Sequence, residues 1–157
     1  MKLYLVRHGD AVPENENADR PLSAKGDADV RALAALIARS GARVARVIHS
    51  GRARARETAV LFAEVIGPGK MVEEAESGLG PNESTELLAR VADAMEENLM
   101  VVGHDPFMTR MISRLAAGDE NAGVVALEPG SVACLDRGAN GDAWTINWIA
   151  GPTLLGR

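Results

Sequence analysis

Residues 2–10, Lys2-Leu3-Tyr4-Leu5-Val6-Arg7-His8-Gly9-Asp10, decide how the rest of the chain is read. Leu3 to Val6 form a near-continuous apolar run, the pattern of a strand buried on both faces of a parallel sheet. The run ends at Arg7 and His8, two side chains with chemistry. A strand that ends this way sets such groups at its carboxyl end, where open α/β sheets hold their ligands.

Working outward, short apolar runs alternate with amphipathic segments. Ala11 to Pro21 is polar, carries Pro and Asn, and reads as a loop. Ser23 caps a predicted helix on which Val30, Leu33, Ala34 and Ile37 fall at helical spacing, and Ser40-Gly41 stops it. Arg46 to His49 reads as a second strand and Ala53 to Ile66 as a second helix, ended by Gly67-Pro68-Gly69. Met71 and Val72 begin a third strand. Glu83 to Met95 is read as a helix with Leu87, Leu88, Val91 and Met95 on one stripe, and Leu99 to Gly103 as a strand. Met108, Met111, Ile112 and Leu115 mark a last helix, closed by Gly118. Ser131 to Leu135 and Trp144 to Ile149 read as two strands around the turn-rich Gly138 to Gly141. This order predicts a three-layer α/β/α sandwich with a mostly parallel central sheet, in a single domain over residues 1–157.

A chain of 157 residues buries enough surface to fold without disulfides or a structural metal. Hydrophobic residues make up 46%, but aromatics only 3%, so the core is expected to be mainly Ala, Val, Leu, Ile and Met. The formal net charge of -5 argues against a general nucleic-acid or anionic-membrane binder, while leaving room for a local basic pocket. Cys134 is the one cysteine, set in Ser-Val-Ala-Cys-Leu, and reads as a small buried strand residue. The apolar run before Arg7 is too short for a signal peptide, so the cytoplasm is the expected compartment.

Three groups stand after predicted strands: Arg7-His8-Gly9-Asp10, Ser50 to Thr58 with Arg54, and Gly103-His104-Asp105-Pro106. Together they supply the parts of a phosphoryl-transfer site. Catalysis of that reaction is mostly positioning and neutralisation of charge on three equatorial oxygens. Arg7 and Arg54 offer planar, permanently charged forks for those oxygens. His8, as a neutral imidazole, can attack phosphorus without a deprotonating base, and His104 can hold charge opposite. The sequence offers no evident metal cage, and no cofactor is expected.

These motifs resemble the signatures of the histidine phosphatase superfamily (phosphoglycerate mutase-like). The small size, Arg20-Pro21-Leu22-Ser23 and the Trp148-x-x-x-Pro152 ending are similar to its SixA-type phosphohistidine phosphatases. The resemblance implies a phosphoglycerate mutase-like fold and a covalent phospho-His8 intermediate hydrolysed by water, with Arg7, Arg54 and His104 completing the phosphate pocket. It implies as partner a phosphorylated histidine-containing phosphotransfer protein. The alternative is a broad phosphatase for small phosphate monoesters, with Asp105 or Glu83 as proton donor. Gly51 departs from the proline that relatives often carry, which is expected to loosen the turn after Ser50.

The remaining polar residues have competing roles. Asp105 before Pro106 matches a helix N-cap followed by proline, against a role as acid. Glu83 reads as a helix-start residue. Arg20 either reaches a substrate phosphate or carboxylate or pins its loop. Ser50 is expected to cap the second helix, Arg56 to lie on its surface, and His49 to pack or line a rim.

Overall fold

The computed structural model describes residues 1–67, 72–138, 141 and 143–157. Six strands and four helices follow in the order β1 (Lys2–Arg7), α1 (Ala24–Arg39), β2 (Arg46–His49), α2 (Ala53–Ile66), β3 (Glu73–Glu74), α3 (Glu86–Ala94), β4 (Leu99–Gly103), α4 (Phe107–Ala117), β5 (Val132–Arg137) and β6 (Trp144–Ala150). A 3-10 turn at Pro152–Leu155 closes the chain. The strands make one sheet in the order β3-β2-β4-β1-β5-β6. β1 to β4 run parallel, whereas β5 pairs antiparallel with β1 and with β6. The α/β architecture and mostly parallel sheet are those expected from the sequence.

Successive strand side chains point to opposite faces, so the apolar runs fill two layers at once. Tyr4, Val6, Met100, Val102 and Cys134 face α1 and α2, meeting Leu33, Ile37 and Phe62. Leu3, Leu5, Leu99, Val101 and Leu135 face α3 and α4, meeting Leu88, Met108, Met111 and Ile112. Few aromatics are needed, yet Tyr4, Phe62 and Phe107 are among the largest fully buried side chains. Trp148 tilts against Tyr4 with ring centroids 6.1 Å apart, tying β6 to β1's side of the sheet.

The caps explain where α1 starts. Ser23 Oγ accepts the Gly26 N–H at 2.9 Å and donates to Asp10 Oδ2 at 2.6 Å. The loop that follows His8 is therefore tied to the first turn of α1, a contact of the kind worth about 1 kcal/mol.

Two expectations need correction. α3 starts at Glu86, three residues after Glu83, which instead lies exposed in a turn whose N–H donates to the Gly80 carbonyl at 3.2 Å. Of the expected stripe, Leu88, Val91 and Met95 pack against the core, joined by Ala89 and Ala92, while Leu87 is 50% exposed. At about 100° per residue the buried face centres near Leu88 and Ala92, which leaves Leu87 beyond its edge. The third strand is Glu73–Glu74, just after the expected Met71-Val72; Met71, Pro68 and Gly69 lie outside the described residues, as do 139–140 of the last turn. Among the described residues, no helix is long and apolar enough to cross a membrane.

Candidate active site

Strand register assembles the site. Arg7 of β1 pairs with Gly103 of β4, so His8 and His104 leave adjacent strands side by side. His49 of β2 pairs with Val102 of β4, which sets Ser50 at the same edge. The His8 N–H donates to the Gly103 carbonyl at 3.0 Å, and the Gly130 N–H bonds the Arg7 and His8 carbonyls, fixing the backbone from both sides. The imidazoles of His8 and His104 lie 4.9 Å apart at a 59° tilt.

His8 Nδ1 lies 2.8 Å from the Gly9 carbonyl oxygen. A carbonyl only accepts, so Nδ1 carries the proton and Nε2 keeps its lone pair. Arg54 Nε, from the first turn of α2, donates to that Nε2 at 3.3 Å. Thr58, one turn further on, donates to the Arg54 carbonyl at 2.7 Å and accepts the Gly9 N–H at 3.1 Å. It thus clamps the nucleophile loop to α2. Gly9 is needed for this approach, since a Cβ there would lie 2.8 Å from Val30 Cγ2.

Arg7 is held by the Leu127 carbonyl at 2.5 Å and lies 3.4 Å from Asp105 Oδ2. Its buried Nε has no hydrogen-bond partner among the described residues. Asp105 Oδ1 accepts the Thr109 N–H at 3.2 Å, inside α4, which begins at Phe107 with Pro106 in the N-cap position. Asp105 therefore binds the start of α4 from one residue further out than a simple N-cap.

His104 is 3% exposed and shares a 2.6 Å hydrogen bond between its Nε2 and Ser50 Oγ. Ser50 is thus not the cap of α2. That position falls to Arg52, which makes no side-chain cap bond. His49 is also 3% exposed, and its Nδ1 accepts the Gly51 N–H at 3.0 Å, a packing role. Gly51 adopts φ +88°, which proline cannot reach, and a Cβ there would collide with Glu74. The turn after Ser50 is therefore specified by its glycine, contrary to the expectation of a looser one.

Burial is the main force lowering the His8 pKa to about 4, opposed by its bond to Gly9 and assisted by the charges of Arg54, Arg7 and Arg20. Burial likewise takes His104 down to about 3, with His8, Arg54 and Arg52 adding to the effect. Both rings are neutral near pH 7, chiefly through burial, and the arginine charges that add to the effect form the field an anionic phosphoryl group would meet. Burial also lowers the Arg54 pKa, with Arg20 and Arg52 contributing.

A pocket of about 530 Å³ opens beside Arg54, lined also by Arg20, Arg52, Arg56, Glu14 and Asp19. Arg20 both pins its loop, donating from Nε to the Val12 carbonyl at 3.2 Å, and contributes charge to the site. Arg56 is exposed on α2, as expected, yet stands on this rim. On the other side a cleft of about 260 Å³ is lined by Ser50, His104, Glu74, Glu76 and Glu83, with Arg52 at its edge. Arg52 and the clamp made by Thr58 were not singled out from sequence. The Arg54-x-x-x-Thr58 spacing, one helical turn, was the available signal for the clamp.

Comparison with known proteins agrees with this geometry. The sequence pattern of the histidine phosphatase superfamily (branch 1) matches residues 3–77, from β1 past β3. An uncharacterized protein of Picosynechococcus sp. is 31% identical over 146 residues, spanning 83% of this chain and 87% of that one. The chain belongs to the histidine phosphatase superfamily. Its fold is similar to that of the protein histidine phosphatase SixA complexed with tungstate, with a TM-score of 0.86, 22% identity and 99% of each chain covered. An Agrobacterium tumefaciens protein assigned as a phosphohistidine phosphatase SixA gives a TM-score of 0.76 at 25% identity, over 96% of this chain and 97% of that one. An Escherichia coli protein assigned as an alpha-ribazole-5'-P phosphatase gives 0.74 at 19% identity, over 97% and 98%. In this superfamily phosphatase His8 and His104, the histidines of the candidate site, directly follow β1 and β4.

Proposed function

We propose that this phosphatase removes a phosphoryl group from phosphohistidine on a phosphotransfer protein, through a covalent phospho-His8 intermediate. The observation that carries the reading is a neutral His8, its tautomer fixed by Gly9, together with a carboxylate, Asp105, already engaged by Arg7 and Thr109. The site thus offers a nucleophile and cations, while the carboxylate nearest Arg7 is committed to other contacts. That suits a leaving group needing little protonation. An imidazole protonated on its far nitrogen leaves as a neutral ring, whereas an alkoxide needs an acid.

In the first step His8 Nε2 forms a bond to phosphorus as the bond from phosphorus to the substrate nitrogen breaks, and the electron pair leaves with the substrate ring. Arg54, Arg7 and His104 surround the equatorial oxygens, one of which meets the unpartnered Arg7 Nε. Charge placed where it develops is the main catalytic contribution here. In the second step a water oxygen bonds to phosphorus, the P–Nε2 bond breaks, and the electron pair returns to His8. Inorganic phosphate departs and the remaining water proton passes to solvent. Similarity of fold to SixA supports this reading.

A second reading rests on Glu83, which shares the cleft with Ser50 and His104 and could protonate an ester oxygen. The two separate in one comparison, made with chelator present. A phosphohistidine-bearing phosphotransfer domain and a panel of phosphate esters are offered to the wild type, His8→Ala and Glu83→Gln. The proposal expects the domain to lose phosphate much faster than any ester, with His8→Ala inert and Glu83→Gln unaffected. Fast ester turnover that collapses in Glu83→Gln would replace it with the general phosphatase.

A further inference from the structure

The 530 Å³ pocket beside Arg54 is more cationic than holding one phosphoryl group requires. Arg7 and Arg54 already face that group. Arg20, Arg52 and Arg56 add three charges to its rim, against the carboxylates of Glu14 and Asp19. Arg52 and Arg56 are exposed and, among the described residues, their side chains make no ion pair or hydrogen bond. Several arginines elsewhere on the surface are paired, Arg31 with Asp27, Arg46 with Glu73, Arg90 with Glu86 and Arg110 with Glu120, while Arg39 at the end of α1 stands singly and without an ion pair among the described residues. A chain with net charge -5 thus concentrates uncommitted positive charge at the mouth of its site. Such a local field steers an anionic partner despite the overall sign.

The lining also says what kind of anion fits. Apart from the arginines and the two carboxylates, the wall is Ala18, Gly51 and Ala53. It holds no aromatic or large aliphatic surface of the sort that small-molecule sites use to grip a base or ring. What remains is an open, polar, positively charged surface along the start of α2, joined to His8 through Arg54 and suited to carboxylates presented by a protein.

We infer that Arg20, Arg52 and Arg56 form a docking surface for an acidic protein face surrounding the phosphohistidine, which seats that residue on His8. This rests on the proposed function and adds to it the chemistry of the partner's surface. The arginines act on encounter and orientation, so their loss should appear in kcat/KM for a protein substrate and in its salt dependence. Exposed pairs separated by more than about 10 Å are largely screened at 0.1 M salt, which gives the salt axis its meaning.

The test compares the wild type, Arg56→Gln and Arg56→Glu on two substrates. One is a phosphohistidine-bearing phosphotransfer domain with acidic residues around its histidine, and the other is phosphoramidate, a small phosphorus–nitrogen compound with no protein surface. Thermal melting of each variant checks the fold. The expected result is a fall of about tenfold or more in kcat/KM on the domain for Arg56→Glu, a smaller fall for Arg56→Gln, and a flatter salt dependence in both. Phosphoramidate turnover should be unchanged. Equal rates on the domain for all three proteins would overturn the docking surface while leaving the proposed function standing. An equal fall on both substrates would also overturn it, making Arg56 part of the phosphoryl site. A wild type that hydrolyses phosphoramidate but ignores the phosphorylated domain would overturn the proposed function and this surface together.

Discussion

Two recesses flank the His8–His104 pair, and their linings carry opposite charge. On the α2 side Arg20, Arg52, Arg54 and Arg56 outnumber Glu14 and Asp19; on the β3–α3 side Glu74, Glu76 and Glu83 outnumber Arg52, which lines both recesses. The contrast separates two requirements of phosphoryl transfer. Under the proposed function, cations near His8 would bind and stabilise the group in flight, while carboxylates near His104 would be the available source of a proton for leaving groups that need one. Burial does most to keep both imidazoles neutral, and the charge of the first recess adds to it through Arg54, with Arg7 and Arg20 at His8 and Arg52 at His104.

The comparison breaks most severely at Arg54, whose Nε donates to the His8 ring. Arg54→Ala should lower kcat by about 10²- to 10³-fold, the range seen when one preorganised donor to developing charge is removed. Arg54→Lys should recover only part of the loss, because a point charge does not reproduce the planar fork. Steady-state kinetics on a phosphohistidine substrate would check both; wild-type rates in Arg54→Ala would remove the cationic recess from the mechanism.

Next in size is the effect of pH. Protonated His8 has no lone pair at Nε2, so the reactive form should persist down to about pH 4 and disappear below it. NMR titration of the ring should show this directly, and added phosphate should raise the apparent pKa, since a bound anion favours the charged imidazole. Stability follows from linkage. The folded pKa of His8 lies below the unfolded reference of about 6.5, so the unfolded chain binds more protons between that value and about 4. The contribution is full above about pH 6.5 and is lost as pH falls through that window. His8→Ala should therefore flatten the acid limb of the stability curve measured by denaturant unfolding.

Smaller changes are expected at the carboxylates. With phosphohistidine as substrate, Glu83→Gln and Asp105→Asn should leave kcat within about threefold of wild type, because the departing ring needs little acid. Asp105→Asn should mainly cost stability, about 1 kcal/mol, through its weakened contacts with Arg7 and the start of α4. The least effect on chemistry is predicted at the seam between the recesses. Gly51 lines one and Glu74 the other, and the glycine holds φ +88°. Gly51→Ala should lower stability by about 1–2 kcal/mol, the cost of a left-handed residue bearing a side chain. A melting temperature unchanged in that variant would show that the seam relaxes.

What could be read from the sequence followed from local signals. β1, β2, α2 and β4 have the expected limits because apolar runs and their abrupt ends are contiguous in the chain. The joint placement of His8, Arg54 and His104 was legible for a related reason: each follows a strand or opens the next helix, and a parallel sheet gathers such ends. What was not legible depends on tertiary contact. Ser50 turned to His104 instead of capping α2, Glu83 fell in a turn ahead of α3, and Leu87 lost the core to Leu88. The gathering of Arg20 with Arg52 and Arg56 belongs to the same class, since the first lies in a loop whose position no local pattern fixes.

The central claim is that His8 Nε2 takes the phosphoryl group from a histidine. Rapid-quench reaction with a phosphohistidine-bearing domain, kept at alkaline pH and followed by mass spectrometry, tests it directly. The prediction is a transient +80 Da adduct on His8, absent in His8→Ala. Rapid phosphate release with no adduct on His8, or an adduct on another residue, would contradict the account.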